Sequence, residues 1–455
     1  MKVLIYSINF APELTGPGKY TGELAEWLAA RGHEVRVVTA PPYYPEWHVK
    51  NGYSGWWYRQ ELVAAPSSQP SSSEEVGGRR SLRHRGGVRV WRCPLWVPGH
   101  PSGPKRLLHL ASFAASSFPL MLRQVRWRPE VVWAVEPPLF CAPAAWIVGR
   151  LCGGKSWLHV QDFEVDAAFD LGLLRSRFWR HVVMKIECWL MRRFDCVSTI
   201  SDKMIRRLSD KGIAEGVLFP NWVDTDRIFP LSVSSPFRRE LGIADADVVA
   251  LYSGNMGRKQ GLELLGEAAR LLEAGSFSSP LHTNGGGQGE EAGKMASSGE
   301  KEVRPLLFVF CGNGPGRGEL EAACVGLSNV RFLDLQPVER LNDLLNLADI
   351  HLLPQRADVA DLVMPSKLTG MLASGRPVVA TANPGTQLAR VVEGRGIVVD
   401  PGDAAALSRA VGTLAGDMHL RQRLGEAARS YALAHLGKEA LLTAFENSLS
   451  ELVGQ

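Results

Sequence analysis

Short apolar runs of four to seven residues, alternating with helix-length segments throughout, restrict this chain's fold more than any other feature. Runs buried on both faces lose the apolar-polar alternation of a half-solvated strand, and intervening helices supply the crossovers that parallel pairing requires. In the first half the runs predict strands at Val3–Ile8, Glu34–Thr39, Val88–Arg92, Val131–Val135, Ser156–Val160 and Cys196–Ile200, with a helix over Tyr20–Ala30. The second half repeats the scheme at Val248–Tyr252, Leu306–Phe310, Val330–Leu333, Ile350–Leu353, Pro377–Thr381 and Gly396–Val399. A length of 455 residues exceeds what one hydrophobic core serves. The expected class is α/β, with two Rossmann-like doubly wound domains.

The division falls in Phe219–Pro230, an irregular connector bracketed by prolines. Residues 1–222 form the predicted N-terminal domain and 223–425 the C-terminal one. A helix over 426–455 is expected to pack back toward the first domain. Segments 66–87 and 275–304 hold too few apolar residues to pack and read as mobile surface loops.

Composition narrows the setting. An apolar fraction of 45% with 22% charged residues is that of a soluble globular chain. Seven scattered cysteines without a CxxC pair point to a reduced compartment and argue against zinc. The opening run Val3–Ile8 is too short for a signal-peptide core. The apolar stretches near 111–122 and 131–148 are short or broken by Glu136 and prolines, so no spanning helix is expected. Net charge is only +4, yet no acidic residue lies between Glu75 and Glu130. Arg79, Arg80, Arg83, Arg85, Arg89, Arg92, Lys105, Arg106, Arg123, Arg126 and Arg128 fill that block, interleaved with Trp91, Trp96, Phe113, Phe118 and Trp127. An anionic partner follows: a membrane surface, a phosphate-bearing substrate or nucleic acid.

Ligands of open α/β sheets bind beyond the carboxyl ends of strands, where helix N-termini favour anions. Tyr252–Gly261 sits at such a place, with Gly254 and Gly257 baring backbone amides and Arg258 and Lys259 supplying charge for a diphosphate. The loop Gly312-Asn-Gly-Pro315 ends the next strand on the same edge. Pro365, Ser366 and Lys367 suit a helix start after the strand at Ile350–Leu353. In the first half Gly16 and Gly18 form a similar turn, which serves equally well as a plain strand-helix join. His159 and Asp162 end a strand on the same edge and are candidates for contact with the sugar or acceptor, Asp162 orienting the imidazole or accepting a proton.

These stretches resemble a known family, the retaining glycosyltransferases of the GT-B fold, family 4, and in particular its colanic acid biosynthesis subgroup, of fucosyltransferase type. Tyr6–Glu23, Pro41–Pro45, Leu158–Asp162, Tyr252–Gly261 and Leu362–Leu368 carry the resemblance, which spans nearly the whole chain. It implies two domains facing a central cleft, a GDP- or UDP-linked sugar as co-substrate, no cofactor and no metal. By position, Gly254, Asn255, Arg258 and Lys259 would hold the diphosphate, Gly312, Gly314 and Gln336 would lie near the base, and Ser366 and Lys367 would reach phosphate or ribose. Gly16 and Gly18 would close over the diphosphate, and His159, Asp162 and Lys259 would serve catalysis. Two departures stand out. Asn255 replaces an Arg common in the family, and Gly370 replaces the second of two glutamates, with Asp358 or Asp361 in place of the first.

The implied reaction is front-face transfer with retention, in which the leaving diphosphate is stabilised electrostatically and no enzyme nucleophile is needed. The implied acceptor is a lipid-diphosphate-linked saccharide, with the enzyme cytoplasmic and peripheral on an anionic inner membrane face, and no nucleic acid partner. A nucleotide-sugar epimerase of the same architecture and a non-catalytic nucleotide-sugar binding protein are the alternatives.

Overall fold

The computed structural model describes residues 1–13, 16–64, 87–99, 102–137, 139–163, 177–257, 260–275, 305–357 and 365–454. Residues 66–86 and 276–304 of the two low-complexity segments, which include Arg79 to Arg85, and Arg258, Lys259, Asp358 and Asp361 lie outside the described residues. The chain forms two compact units, residues 1–222 with 438–455, and residues 223–437.

The first unit is built on β1 (Lys2–Tyr6), β2 (Glu34–Thr39), β3 (Arg59–Ala64), β4 (Gly87–Arg92), β5 (Val131–Glu136), β6 (Lys155–Val160), β7 (Cys196–Thr199) and β8 (Val217–Leu218). They pair in the order β3-β4-β2-β1-β5-β6-β7-β8. Every pairing is parallel except that of β3, which lies antiparallel against β4. The period-two geometry of a strand decides where side chains go. On β1, Leu4 and Tyr6 enter the layer that holds α2 (Gly103–Gln124), α3 (Ala142–Cys152), α4 (Arg177–Met191) and α5 (Asp202–Asp210). Val3 and Ile5 enter the opposite layer with α1 (Gly16–Ala30).

The runs predicted as first-half strands are all strands. The edge strand β3 was not foreseen, because Arg59-Gln-Glu61 interrupts any apolar run and only one neighbour pairs with it. Helix α1 also begins at Gly16, four residues ahead of the predicted start, so the glycines form its first turn.

The second unit carries β9 (Val248–Ser253), β10 (Leu306–Cys311), β11 (Val330–Leu333), β12 (Ile350–Leu353), β13 (Val378–Thr381) and β14 (Gly396–Val399). They form an all-parallel sheet ordered β11-β10-β9-β12-β13-β14. The helices are α6 (Pro236–Glu240), α7 (Glu263–Glu273), α8 (Arg317–Ala323), α9 (Leu341–Leu345), α10 (Lys367–Ala373), α11 (Gln387–Val392), α12 (Ala404–Gly416) and α13 (Met418–His435). Among the parallel strands of each sheet the order reverses at β1/β5 and at β9/β12, where α/β sheets open their ligand crevice.

The chain's last helix, α14 (Lys438–Gly454), belongs to the first unit. It buries Leu442, Phe445 and Leu449 beside Val3 and Trp157, with Phe445 stacked on Phe219 at 4.6 Å between centroids. Each such side chain contributes about 1.5–3 kcal/mol through burial. Trp27 fixes the register by donating its indole N–H to Glu439 at 3.0 Å.

Candidate active site

In the second unit the loops that follow β9 and β10 are one construction. Gly254 N–H donates to the Cys311 carbonyl at 2.9 Å, Met256 N–H to the Asn313 carbonyl at 2.9 Å, and Gly316 N–H to the Met256 carbonyl at 2.8 Å. Such closeness requires glycine. A Cβ on Gly312, whose φ is +147°, would lie 1.9 Å from the Gly254 carbonyl oxygen, and one on Gly314 would lie 2.6 Å from that of Met256. The structure thus brings Gly254, Asn255, Gly312 and Gly314 together at the carboxyl edge of adjacent strands.

Lys367 joins them across the β9/β12 reversal. As the first residue of α10, it sends its ammonium back to within 3.5 Å of the position a Gly254 Cβ would occupy. The group rests 4.2 Å above the Tyr252 ring and donates to the Tyr252 hydroxyl at 2.9 Å. That hydroxyl in turn donates to the Asn255 carbonyl at 2.7 Å. Burial alone lowers the Lys367 pKa, to about 7. Among the described residues no carboxylate forms an ion pair with it. A desolvated cation beside a loop of glycines is chemically incomplete until an anion arrives, which would restore its proton affinity. Tyr252, which positions this ammonium, was not singled out from sequence, because at the end of an apolar strand it reads as core.

The remaining predicted residues of this unit sit around that centre. Ser366 is exposed at the position preceding α10, and its side chain caps nothing. Gln336 follows β11 and donates to the Asp334 carbonyl at 2.9 Å, while Cys311 Sγ reaches the same carbonyl at 3.2 Å. Arg317, unforeseen, points to the Gly312 carbonyl at 3.0 Å but is paired with Asp334 and Glu321. A Cβ on Gly370 would stand 3.3 Å from Leu345 Cδ1, so a side chain there would head toward the apolar core.

In the first unit the turn before α1 encloses a carboxylate. Glu13 is buried and accepts from Asn9 Nδ2 at 2.9 Å, from Tyr43 N–H at 2.9 Å and from Tyr44 N–H at 3.0 Å. Burial raises its pKa, against the pull of those donors. A Cβ on Gly18 would lie 2.8 Å from Glu13 Oε2, and one on Gly16, at φ +59°, lies 3.8 Å from the Tyr44 ring. Glu13 therefore ties the Tyr6–Glu23 stretch to Pro41–Pro45.

The structure corrects the reading of His159 as a residue that meets the sugar. The ring is 1% exposed, lies 5.4 Å from the Trp133 ring in a stacked pair, and approaches Ser198 Oγ at 2.8 Å and Gln161 Nε2 at 2.9 Å. The Gln161 amide donates, so His159 Nε2 accepts and the ring is neutral. Burial drives its pKa to about 3. With both nitrogens engaged inside the sheet it is a core residue, and the partners that orient it are Ser198 and Gln161. Asp162 is half-buried just past the end of β6. Among the described residues no three His, Cys, Asp or Glu side chains converge to hold a metal ion.

Comparison with known proteins fits this geometry. Residues 15–222 match the model described as glycosyl transferase 4-like domain, and residues 247–417 that of glycosyl transferases group 1. The putative colanic acid biosynthesis glycosyl transferase WcaI of Escherichia coli (strain K12) is 40% identical over 466 residues, covering 99% of this chain and all of the relative. Sucrose-phosphate synthase from Thermosynechococcus elongatus superposes with a TM-score of 0.68 at 16% identity, covering 100% of both chains. Anabaena Alr3699/HepE, solved in complex with UDP and glucose, gives a TM-score of 0.63 at 13% identity, covering 99% of this chain and 100% of its own.

Proposed function

The chain belongs to the family 4 glycosyltransferases of GT-B fold, and from that premise we propose that it moves a sugar from a nucleotide-sugar onto a lipid-linked oligosaccharide in exopolysaccharide biosynthesis. The observation that carries this reading is the Lys367 ammonium, which no carboxylate among the described residues pairs with, beside the interlocked glycine loops. A diphosphate leaving group that gains negative charge is what such a site suits: Lys367 neutralises it, and the glycines leave room for it against the backbone. Lys259 and Arg258, by sequence position, add charge on the same loop. Attack by the acceptor hydroxyl on the face from which the electrostatically stabilised diphosphate departs retains configuration without an enzyme nucleophile or metal, the diphosphate oxygen taking the acceptor proton as the new glycosidic bond forms. Asp162 and the Tyr43-Tyr44 loop held by Glu13 serve the acceptor side. The likeness to WcaI supports an exopolysaccharide of the colanic acid kind, and the complex of Anabaena Alr3699/HepE with UDP-glucose supports a nucleotide-sugar donor, for which we propose GDP-fucose or a UDP-sugar.

Isothermal titration with a panel of UDP- and GDP-sugars, followed by assay of nucleotide release with and without acceptor, tests the reading. One donor should bind, and its nucleotide should be released only with acceptor. Turnover of the donor to an isomer, with no acceptor requirement, would replace the transferase by an epimerase. The proposed location is the cytoplasmic face of the membrane, as a peripheral protein.

A further inference from the structure

The aromatic residues that mark the acid-free block in sequence are mostly not on the surface. Phe113 is fully buried, Trp127 donates to Glu34 at 3.1 Å, Trp91 lies under Arg36 at 5.3 Å, and Arg92 is buried against Glu61 and the Ala40 carbonyl. What the first unit exposes instead is a pair no periodicity announced: Trp56 and Trp57 are 77% and 76% exposed.

These tryptophans are held in place. On one side the Leu95 N–H donates to the Gly55 carbonyl at 2.8 Å, and on the other the Tyr58 hydroxyl donates to the Ser116 carbonyl of α2 at 2.6 Å. They therefore stand beside α2, whose outward side is apolar. His109, Phe113, Ser117, Met121 and Gln124 point inward, and Leu108, Ala115, Phe118 and Leu122 form a stripe on the opposite side. Exposed Lys105, Arg123 and Arg126 flank the stripe, and α2 contains no acidic residue. No helix among the described residues is long and apolar enough to cross a membrane.

We propose that Trp56, Trp57 and the Leu108-Phe118-Leu122 side of α2 form the surface on which this protein sits on an anionic lipid leaflet. Tryptophans enter the headgroup region, the stripe lies against the acyl boundary, and the flanking cations meet lipid phosphates. Charge decides the occupant. A second copy of this surface would set Lys105, Arg123 and Arg126 against themselves, whereas an anionic leaflet complements them. The proposal deepens the lipid-linked-acceptor reading on which it rests, since it places the acceptor's bilayer beside this unit.

The test is co-sedimentation of the full chain with vesicles of phosphatidylethanolamine and phosphatidylglycerol, against vesicles of phosphatidylcholine alone, with thermal melting as the check on folding. Wild type should partition onto the anionic vesicles only. Trp56→Ser/Trp57→Ser and Arg123→Glu/Arg126→Glu should each weaken partitioning at least tenfold with the melting temperature unchanged. The contrast variant Ile186→Ser/Trp189→Ser alters two exposed apolar residues of α4 and should partition as wild type. Equal partitioning of the Trp56/Trp57 variant, loss confined to the α4 variant, or a wild-type dimer that dissociates in the Trp56/Trp57 variant would each overturn the assignment. Transfer onto a short-chain, water-soluble lipid-diphosphate saccharide should survive in the Trp56/Trp57 variant. Vesicle binding through this face with no transfer to any lipid-linked acceptor would sink the acceptor reading and leave the surface standing.

Discussion

The two units place similar loops at equivalent points and fill them with opposite charges. Each has a turn after the strand at its sheet's reversal with glycines packed against it, those of the first unit lying in the opening turn of α1. In the first unit the turn before α1 encloses the Glu13 carboxylate, satisfied by three internal donors. In the second, the loop after β9 faces the Lys367 ammonium, which has a tyrosine hydroxyl and ring for company. A loop whose charge is already satisfied gains little from a ligand ion, while one that buries an unanswered cation gains much. On physical grounds the difference supports the proposed diphosphate site in the second unit and makes the first loop a brace for Tyr43 and Tyr44.

The strongest way to break this comparison is to remove the cation. Lys367→Met keeps an unbranched apolar stem and deletes the charge, and it should lower kcat/KM for sugar transfer by roughly 10²–10³-fold, the usual cost of one preorganised charge-stabilising group. The melting temperature should hold or rise, because an uncompensated buried ammonium destabilises the free protein. Near-normal transfer by this variant would remove the carrying observation.

Next in size is a test of the interlock. Gly312→Ala places a Cβ 1.9 Å from the Gly254 carbonyl at a φ of +147°, and should cost about 3 kcal/mol or more in urea unfolding. Gly16→Ala, at φ +59° with its nearest neighbour 3.8 Å away, should cost only about 1–2 kcal/mol. Equal losses would mean that the second loop is no more tightly built than the first.

Why sequence reached some of this and not the rest follows from where each signal resides. The runs Val248–Tyr252 and Leu306–Phe310 declare themselves as strands because both faces are buried, and their following glycines then fall on the ligand edge without further information. Lys367 was placed at a helix start by Pro365 and near phosphate by the family resemblance, but that no carboxylate among the described residues pairs with it is a property of three-dimensional surroundings. Glu13 was invisible for the converse reason: a carboxylate in a turn normally faces water, and only the approach of Tyr43 and Tyr44 buries it. Gly16-Pro17-Gly18 read as a turn although the chain is already helical at Gly16, since proline suits a first helical turn as well as a loop. His159 misled because a strand-end histidine on the ligand edge looks the same in sequence whether its ring faces the crevice or, as here, Trp133 and Ser198. Trp56 and Trp57 belong to no periodic segment at all.

A pH titration sharpens the contrast further. The Lys367 pKa near 7 lies below the ordinary lysine value, so the free protein loses this charge as pH rises through about 7, whereas a bound diphosphate holds the proton. Affinity for a nucleotide-sugar, whose phosphates do not titrate in this range, should therefore fall by up to tenfold per unit as pH climbs from 7 to 9. Lys367→Met should show a flat profile. A flat wild-type profile would mean that the ammonium is not linked to donor binding.

The smallest effect belongs to the first loop and has a different form. Burial raises the Glu13 pKa, so the folded state holds this proton more tightly than the unfolded chain. Stability from the group is then fully present below the unfolded carboxyl value and declines as pH rises through the raised folded value, reaching a plateau above it. Glu13→Gln keeps an acceptor for the Tyr43 and Tyr44 amides and removes the titration. Urea midpoints measured from pH 4 to 8 should show wild type losing ground relative to the variant across that interval and then running parallel to it. Donor affinity should be unchanged at every pH, because the carboxylate is spent on the protein's own backbone. Should Glu13→Gln instead tighten donor binding, the carboxylate would be repelling the diphosphate, and the first loop would be part of the donor site after all.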